Sequence, residues 1–293
     1  MQIALDPYMF RRLALPDVVR LAAELGYECV ELSPRSDFLP LFISPRADVD
    51  LVREFKQACR VTGVKLVSIM AVYRWASPEP EERRAAVRYW MRAVRIATEL
   101  ECAVINTEFT GVPQESMASE HAFWSSLEEL LPIFERSGIR VDIEPHPGDF
   151  VENGNAAVDI VRAIGSAHIK YLYCAPHTFH MGSDMAGMLR YAAPVLAHVH
   201  VADTLNHNAG LRYIINPIGA PVRVHQHLNI GEGEVNWDEF FRTLAEISFD
   251  CILTSCVFAW EDRAVQSSRA MLDRIQHYLT KFPSAKMADP GST

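Results

Sequence analysis

RVDIEPHPGDFVENGNAAVDIVRAIGSAHIKYLYC, residues 140–174, is the stretch that decides the fold. It opens on a short apolar run over 140–144, passes through a turn-rich segment and continues as an amphipathic pattern over 156–164. Gly165 follows, where a left-handed helix cap costs least. A second apolar run, rich in β-branched and aromatic residues, covers 169–174. Strand, helix and strand at this spacing form the unit that joins two parallel strands by a helical crossover.

The same unit recurs in both directions. Strands are predicted over 2–6, 29–32, 66–72, 103–107, 140–144, 169–174, 197–201 and 251–256. Helical patterns lie between and after them, over 15–25, 49–62, 80–100, 116–137, 156–164, 184–192, 237–247 and 263–279. Gly26, Gly63 and Gly138 end helices as Gly165 does. Eight strand and helix pairs within 293 residues predict an α/β protein with a single closed (β/α)8 TIM barrel, whose usual length is ~250 residues. A doubly wound open sheet is the competitor, and no GxGxxG follows the first strand to support it. The barrel is expected over 1–281, with 282–293 a frayed, proline-bearing tail. Residues 206–235 lack clear periodicity and carry Gly219, Pro221 and the Gly231-Glu232-Gly233 turn; a loop of that length in a compact domain is a candidate for function.

Composition narrows the partners. The chain has 28 Lys and Arg against 37 Asp and Glu, a formal net charge of −9, and no basic run. That balance argues against a nucleic-acid backbone and against an anionic membrane surface. No apolar run is long enough to span a membrane, and MQIALDPYMF has neither the basic region nor the apolar stretch of a signal peptide. Six cysteines without CxxC spacing suit buried thiols in a reducing compartment. A cytoplasmic protein is the expectation. Of 11 histidines, nine fall between His146 and His227, and imidazole is both the commonest metal ligand and the usual acid or base near neutral pH.

A TIM barrel gathers its chemistry at the carboxyl ends of its strands. Strands one, two and four deliver Asp6, Glu31 and Glu108 there. Strand five delivers Glu144 and His146; strand six Cys174, then His177 and His180; strand seven His198 and His200, with Asp203 beyond; strand eight Cys256. The loop adds His225 and His227. Glu144 reads as a ligand or catalytic group, against a structural ion pair. His200, at its strand end, is the better ligand, and His198 equally suits core packing. His177 and His180 share a side only if their segment coils, and His225 and His227 suit a pocket wall. Cys174 and Cys256 read either as buried thiols or as thiolates beside a metal. His121, His168, His207 and His277 are assigned surface roles. Arg35, Arg74, Arg212 and Arg223 are candidate partners for an anionic substrate group, and Trp75 and Trp260 candidate walls for a sugar ring, or ordinary packing.

These residues resemble the xylose-isomerase-like sugar isomerase and epimerase superfamily, which includes ketose 3-epimerases, inositol-catabolism proteins, hydroxypyruvate isomerases and endonuclease IV. Glu144 matches the family's strand-five Glu, His177 its strand-six His, His200 its strand-seven His, and His227 with GEGEVNW its loop element. CAPHTFHMG, VRVHQHLNIGEGEV and CVFAWED look most like the branch found with inositol catabolism and keto-sugar enzymes. Cys174 stands where the family keeps Asp, and Cys256 where it keeps its second Glu.

The resemblance implies a divalent metal ion, Zn or Mn, held by Glu144, Cys174, His200 and Cys256. It implies Glu144, His146 and His177 as catalytic groups, with Glu108, Arg223, His225, His227 and Trp260 around the substrate. The implied activity is isomerase or epimerase chemistry on a sugar or cyclic polyol ketone, by proton transfer next to a carbonyl. Alternatives on the same scaffold are a lyase, as a keto-sugar dehydratase or deglycosidase, and a non-catalytic barrel subunit. A small-molecule substrate and a homo-oligomer are the implied partners, with a hetero-oligomer the other possibility.

Overall fold

The structure, a computed structural model, describes residues 1–179, 184–205 and 226–284. Along the chain run β1 (Gln2–Leu5), α1 (Leu15–Leu25), β2 (Cys29–Leu32), α2 (Val49–Thr62), β3 (Lys65–Met70), α3 (Pro80–Glu99), β4 (Val104–Glu108), α4 (Ser116–Ser137) and β5 (Arg140–Glu144). They continue as α5 (Gly154–Ile164), β6 (Ile169–Cys174), the single turn α6 (Ala175–Thr178), α7 (Met185–Ala192), β7 (Leu196–Val201), α8 (Trp237–Glu246), β8 (Ile252–Ser255) and α9 (Ala264–Lys281). The strands close in sequence order, and β1 pairs with β8 in parallel to complete a (β/α)8 barrel. This is the fold expected from the alternation.

Local sequence explains the elements. On α1, Val18, Val19, Ala22 and Leu25 are buried, the helical stripe that faces a sheet. Asp48, Asn153, Asp184 and Asn236 cap α2, α5, α7 and α8 by accepting backbone N–H groups, each such cap worth about 1 kcal/mol. The glycine stops before β2, β3, β5 and β6 all have positive φ. Strand limits match expectation to within one residue except at the end of β3, and the chain after β6 coils. β3 stops at Met70, two residues early, because the chain leaves the sheet once Ala71 has donated its N–H to the Asn106 carbonyl. After β6 the chain coils into α6, with Pro176 in its first turn and Thr178 Oγ1 bonded 3.0 Å back to the Cys174 carbonyl.

The amino-terminal end of the barrel is filled by Ala4, Cys29, Val104 and Ile252, and the larger core lies between sheet and helices. Trp75 belongs to that core. It is fully buried, donates its indole N–H to the Glu108 carbonyl at 3.0 Å and packs tilted against Trp90 and edge-on against Phe123, so it is no wall for a sugar. All six cysteines are free thiols. No helix among the described residues is long and apolar enough to cross a membrane. Residues 285–293 of the expected tail lie outside the described residues.

Candidate active site

The barrel's polar interior is organised around Glu31, at the penultimate position of β2. It is fully buried, and an isolated carboxylate there would be prohibitively costly. Its Oε2 accepts from Ser68 Oγ and Asn106 Nδ2, both at 2.7 Å, and from Thr254 Oγ1 at 3.1 Å. Its Oε1 accepts from His200 Nε2 at 3.0 Å. His198, two residues back on β7, sits deeper with Nε2 2.7 Å from Thr254 Oγ1 and 3.1 Å from Glu31. Both β7 imidazoles therefore point inward, and His198 is the one packed in the core. Burial opposes a charge on His200, but Glu31 foremost outweighs it and holds the imidazole well above its usual range.

Above this layer lies the Glu144 carboxylate at the end of β5, fully buried. Its Oε2 is 3.1 Å from His177 Nδ1 and 3.5 Å from His200 Nδ1. Parallel pairing places Cys174 beside His200, and one donor atom from each of Glu144, Cys174 and His200 falls within 4.8 Å of the others. The His177 ring is 4.6 Å from that of His146 and 5.4 Å from that of His227. The coil of α6 is what turns His177 back over the barrel mouth.

His227 arrives on a segment fixed by Asp203. That buried carboxylate accepts N–H groups from Thr204 at 2.9 Å, Val235 at 3.1 Å and Gly231 at 2.7 Å, and the Trp237 indole at 2.9 Å. A Cβ on Gly233 would lie 2.3 Å from the Thr204 carbonyl, so the second glycine of the GEG turn is required by close approach. His227 Nδ1 donates to the Cys256 carbonyl at 2.7 Å and the ring stacks on Phe258. Burial pushes its pKa down to about 3, leaving a neutral imidazole.

Across the barrel, on β1's end, stands Asp6. Its Oδ1 accepts from Ser33 Oγ and the Tyr8 N–H, and its Oδ2 lies 3.6 Å from Cys256 Sγ. Burial, then the neighbouring Glu31 charge, raises it to about 7. Burial likewise pushes the Cys174 thiol up to about 12 and Cys256 well above its usual range. Asp6 and Glu31 were visible in the sequence as strand-end carboxylates, but nothing in the residue pattern assigned either a role.

Asp6, Glu31, Glu108, Glu144, His146, His177, His200, His227 and Cys256 all line one pocket at the barrel mouth, with Tyr8, Leu41, Met70, Val72 and Phe258 as apolar walls. Cys174 stands behind it, against His200. Trp260 is not among the lining residues: its indole donates to Glu232 Oε2 at 2.6 Å and Arg263 covers its face. Arg35 is taken by Asp37 and the Leu13 carbonyl, and Arg74 by Glu82 and the Phe42 ring. His180, Arg212, Arg223 and His225 lie outside the described residues.

Residues 19–275 match the model of the xylose isomerase-like TIM barrel family. The chain belongs to that family. Solved structures similar to this xylose isomerase-like barrel include a 3-keto-D-glucoside 4-epimerase from E. coli in its apo form, 19% identical with a TM-score of 0.72, over 94% of this chain and 99% of that one. A D-tagatose 3-epimerase-like protein is 18% identical with a TM-score of 0.76, over 98% of this chain and 100% of that one. A probable 3-DHS dehydratase from Bacillus anthracis is 16% identical with a TM-score of 0.73, over 94% of this chain and 99% of that one. At these identities the likeness is one of fold. No curated protein matches the sequence.

The residues of this xylose isomerase-like barrel fit a divalent metal. The buried Glu144 carboxylate makes no well-aligned hydrogen bond among the described residues: Oε2 has only the close approaches of His177 and His200, and Oε1 has neither. His200 gives its Nε2–H to Glu31 and turns Nδ1 toward Glu144, the carboxylate–histidine arrangement that orients a metal-binding imidazole. A carboxylate, an imidazole and a thiol in one cluster suit a borderline-soft ion such as zinc.

Proposed function

We propose that this protein is a metal-assisted isomerase or epimerase of a sugar or cyclic polyol ketone. The observation that carries the reading is the pairing of the buried Glu144 with His177 at 3.1 Å, facing Asp6 across the pocket. Glu144, Cys174 and His200 would hold the metal, with Cys256 at its edge; when bound, it would polarise the substrate's vicinal oxygens and offset the negative charge that develops during proton loss.

The chain's own groups supply the rest. The Glu144–His177 pair takes the proton from the carbon next to the carbonyl; the C–H electron pair becomes the C=C of an enediolate and the carbonyl electrons move to oxygen. β1 and β5 stand on opposite sides of an eight-stranded barrel, so Asp6 is placed to return a proton to the other face. Return to the opposite face inverts that carbon; return to the former carbonyl carbon isomerises the sugar. Neutral His227, held by Cys256 and Phe258, is placed to bond a substrate hydroxyl. The apolar walls from Met70, Val72 and Phe258 keep water from the carbanion-like centre.

A lyase is the second reading, favoured by Cys256. With a thiol where the family keeps a second Glu, proton removal by Glu144 can be followed by expulsion of a β-hydroxyl or β-alkoxy group. Incubation in heavy water with ketoses and keto-polyols separates the two. Deuterium at the carbon next to the carbonyl of recovered substrate or its epimer supports the epimerase; an unsaturated or released product supports the lyase; neither product from any substrate contradicts both.

A further inference from the structure

A second group of ligating side chains stands beside the first, at the ends of β4 and β5. One oxygen each of Glu108 and Asp149 and one nitrogen of His146 lie within 4.8 Å of one another, and Glu108 Oε1 is 3.9 Å from His146 Nε2. The group is built into the backbone. Asp149 Oδ2 accepts the Thr110 N–H at 2.7 Å, the Asp149 N–H donates to the His146 carbonyl, and the Phe150 N–H to the Thr110 carbonyl. The loops after β4 and β5 are thereby tied together and the Asp149 carboxylate is held in place.

The charge balance of this corner is unfavourable as it stands. Glu108 and Asp149, with Glu144 on the neighbouring strand, bring three carboxyl groups to this corner, and His146 is the one basic side chain grouped with Glu108 and Asp149. No Lys or Arg is among the described residues lining the pocket. A second observation points to a ligand: the wholly buried Glu144 carboxylate lines the same pocket in register with Glu108 across the β4–β5 pair, its Oε2 is the oxygen near His177 and His200, and its Oε1 is left with no hydrogen bond among the described residues. A divalent cation offsets that charge and gives these oxygens a partner.

We propose that Glu108, His146 and Asp149 form a second divalent-cation site, with Glu144 as the carboxylate neighbouring both sites. Two carboxylates and one imidazole without a thiol select a harder ion than the Cys174 site does, so manganese or magnesium is the expected occupant where zinc is expected at Cys174. The site opens to the pocket through Glu108 and His146, where it is placed to take a hydroxyl or carbonyl oxygen of the substrate. His146 is then a ligand, and the proton transfers fall to Glu144, His177 and Asp6.

The test is a manganese titration of the full chain, freed of metal and reloaded with one equivalent of zinc, with free manganese read by its EPR signal. The expected result is one tightly bound manganese per chain. In Glu108→Gln, and in Glu108→Gln/Asp149→Asn, manganese binding weakens at least tenfold while zinc content stays at one. Glu108→Gln carries the test if the double variant does not fold, since Glu108 has no backbone role through its carboxylate. Zinc-loaded wild type that binds no manganese, or Glu108→Gln that binds it as wild type does, overturns the proposal. Cys174→Ser separates the two sites: loss of zinc with retained manganese is expected, and a protein that never takes zinc but binds manganese refutes the zinc site while leaving this one standing.

Discussion

Glu31 Oε1 holds His200 Nε2 at 3.0 Å while the other nitrogen of that imidazole faces Glu144 at 3.5 Å. One buried carboxylate thus fixes the direction of the histidine on which the proposed metal site turns. Glu31→Gln keeps the shape and removes the charge. Outer-shell changes of this kind cost 10–100-fold in metal affinity, and a loss of that size is expected in a zinc competition assay against a chromophoric chelator. Unchanged affinity would show that Glu31 serves packing alone.

The neutral His227 makes stability depend on pH with a defined sign. Its folded pKa of about 3 lies below the ordinary value of 6.5, so in that window the unfolded chain binds a proton that the folded chain refuses. The contribution is whole above about 6.5 and is lost as pH falls toward 3, at up to about 1.4 kcal/mol per pH unit. Urea unfolding of metal-free protein between pH 4 and pH 6.5 should show a shallower slope in His227→Gln than in wild type. Equal slopes would mean that His227 is protonated in the fold.

Asp203 gathers four donors from the segment that delivers His227. Hydrogen bonds to a charged acceptor are worth ~1.5–3 kcal/mol each and the loss leaves buried donors unpaired. Asp203→Ala should therefore lower the unfolding free energy by at least about 3 kcal/mol, and Gly233→Ala should lower it too because its Cβ has no room beside Thr204. Denaturant titration checks both, and a change below 1 kcal/mol in Asp203→Ala would contradict the account of the turn.

In the proposed site Cys174 would set the choice of metal. A thiolate favours zinc over manganese, and a carboxylate reverses that bias. Cys174→Asp should bind manganese more tightly than wild type does at this site and zinc more weakly, as read by competitive metal loading of the purified variant. Unaltered preference would remove Cys174 from the ligand set.

The barrel was legible because its signals are local: apolar strand runs, helical stripes and the glycine stops at 26, 63, 138 and 165 recur in order, and the closed sheet follows from counting them. The Glu144, His177, His200 and His227 convergence was legible as soon as strand ends were aligned. What sequence could not show depends on register and on coil. The inward pair His198 and His200 differ in depth by one pleat; the β7–β8 register sets His198 beside Ile252 and His200 beside Thr254, and only the folded side chains bring Thr254 Oγ1 to His198 Nε2 at 2.7 Å. His177 reaches Glu144 because α6 coils, which Pro176 permits but does not dictate. Trp75 and Trp260 look alike as strand-following tryptophans, yet one is sealed against Trp90 and the other turned to Glu232. Asp6 gains importance only from its position across the barrel from Glu144.

The most direct test of the account is the metal content of purified, active protein, measured together with its response to chelation. The account predicts bound zinc in the wild type, loss of proton exchange on chelation with recovery on adding zinc back, and loss of both metal and exchange in Glu144→Gln and His200→Ala. Active protein that contains no metal and is indifferent to chelator and to added zinc or manganese would contradict it.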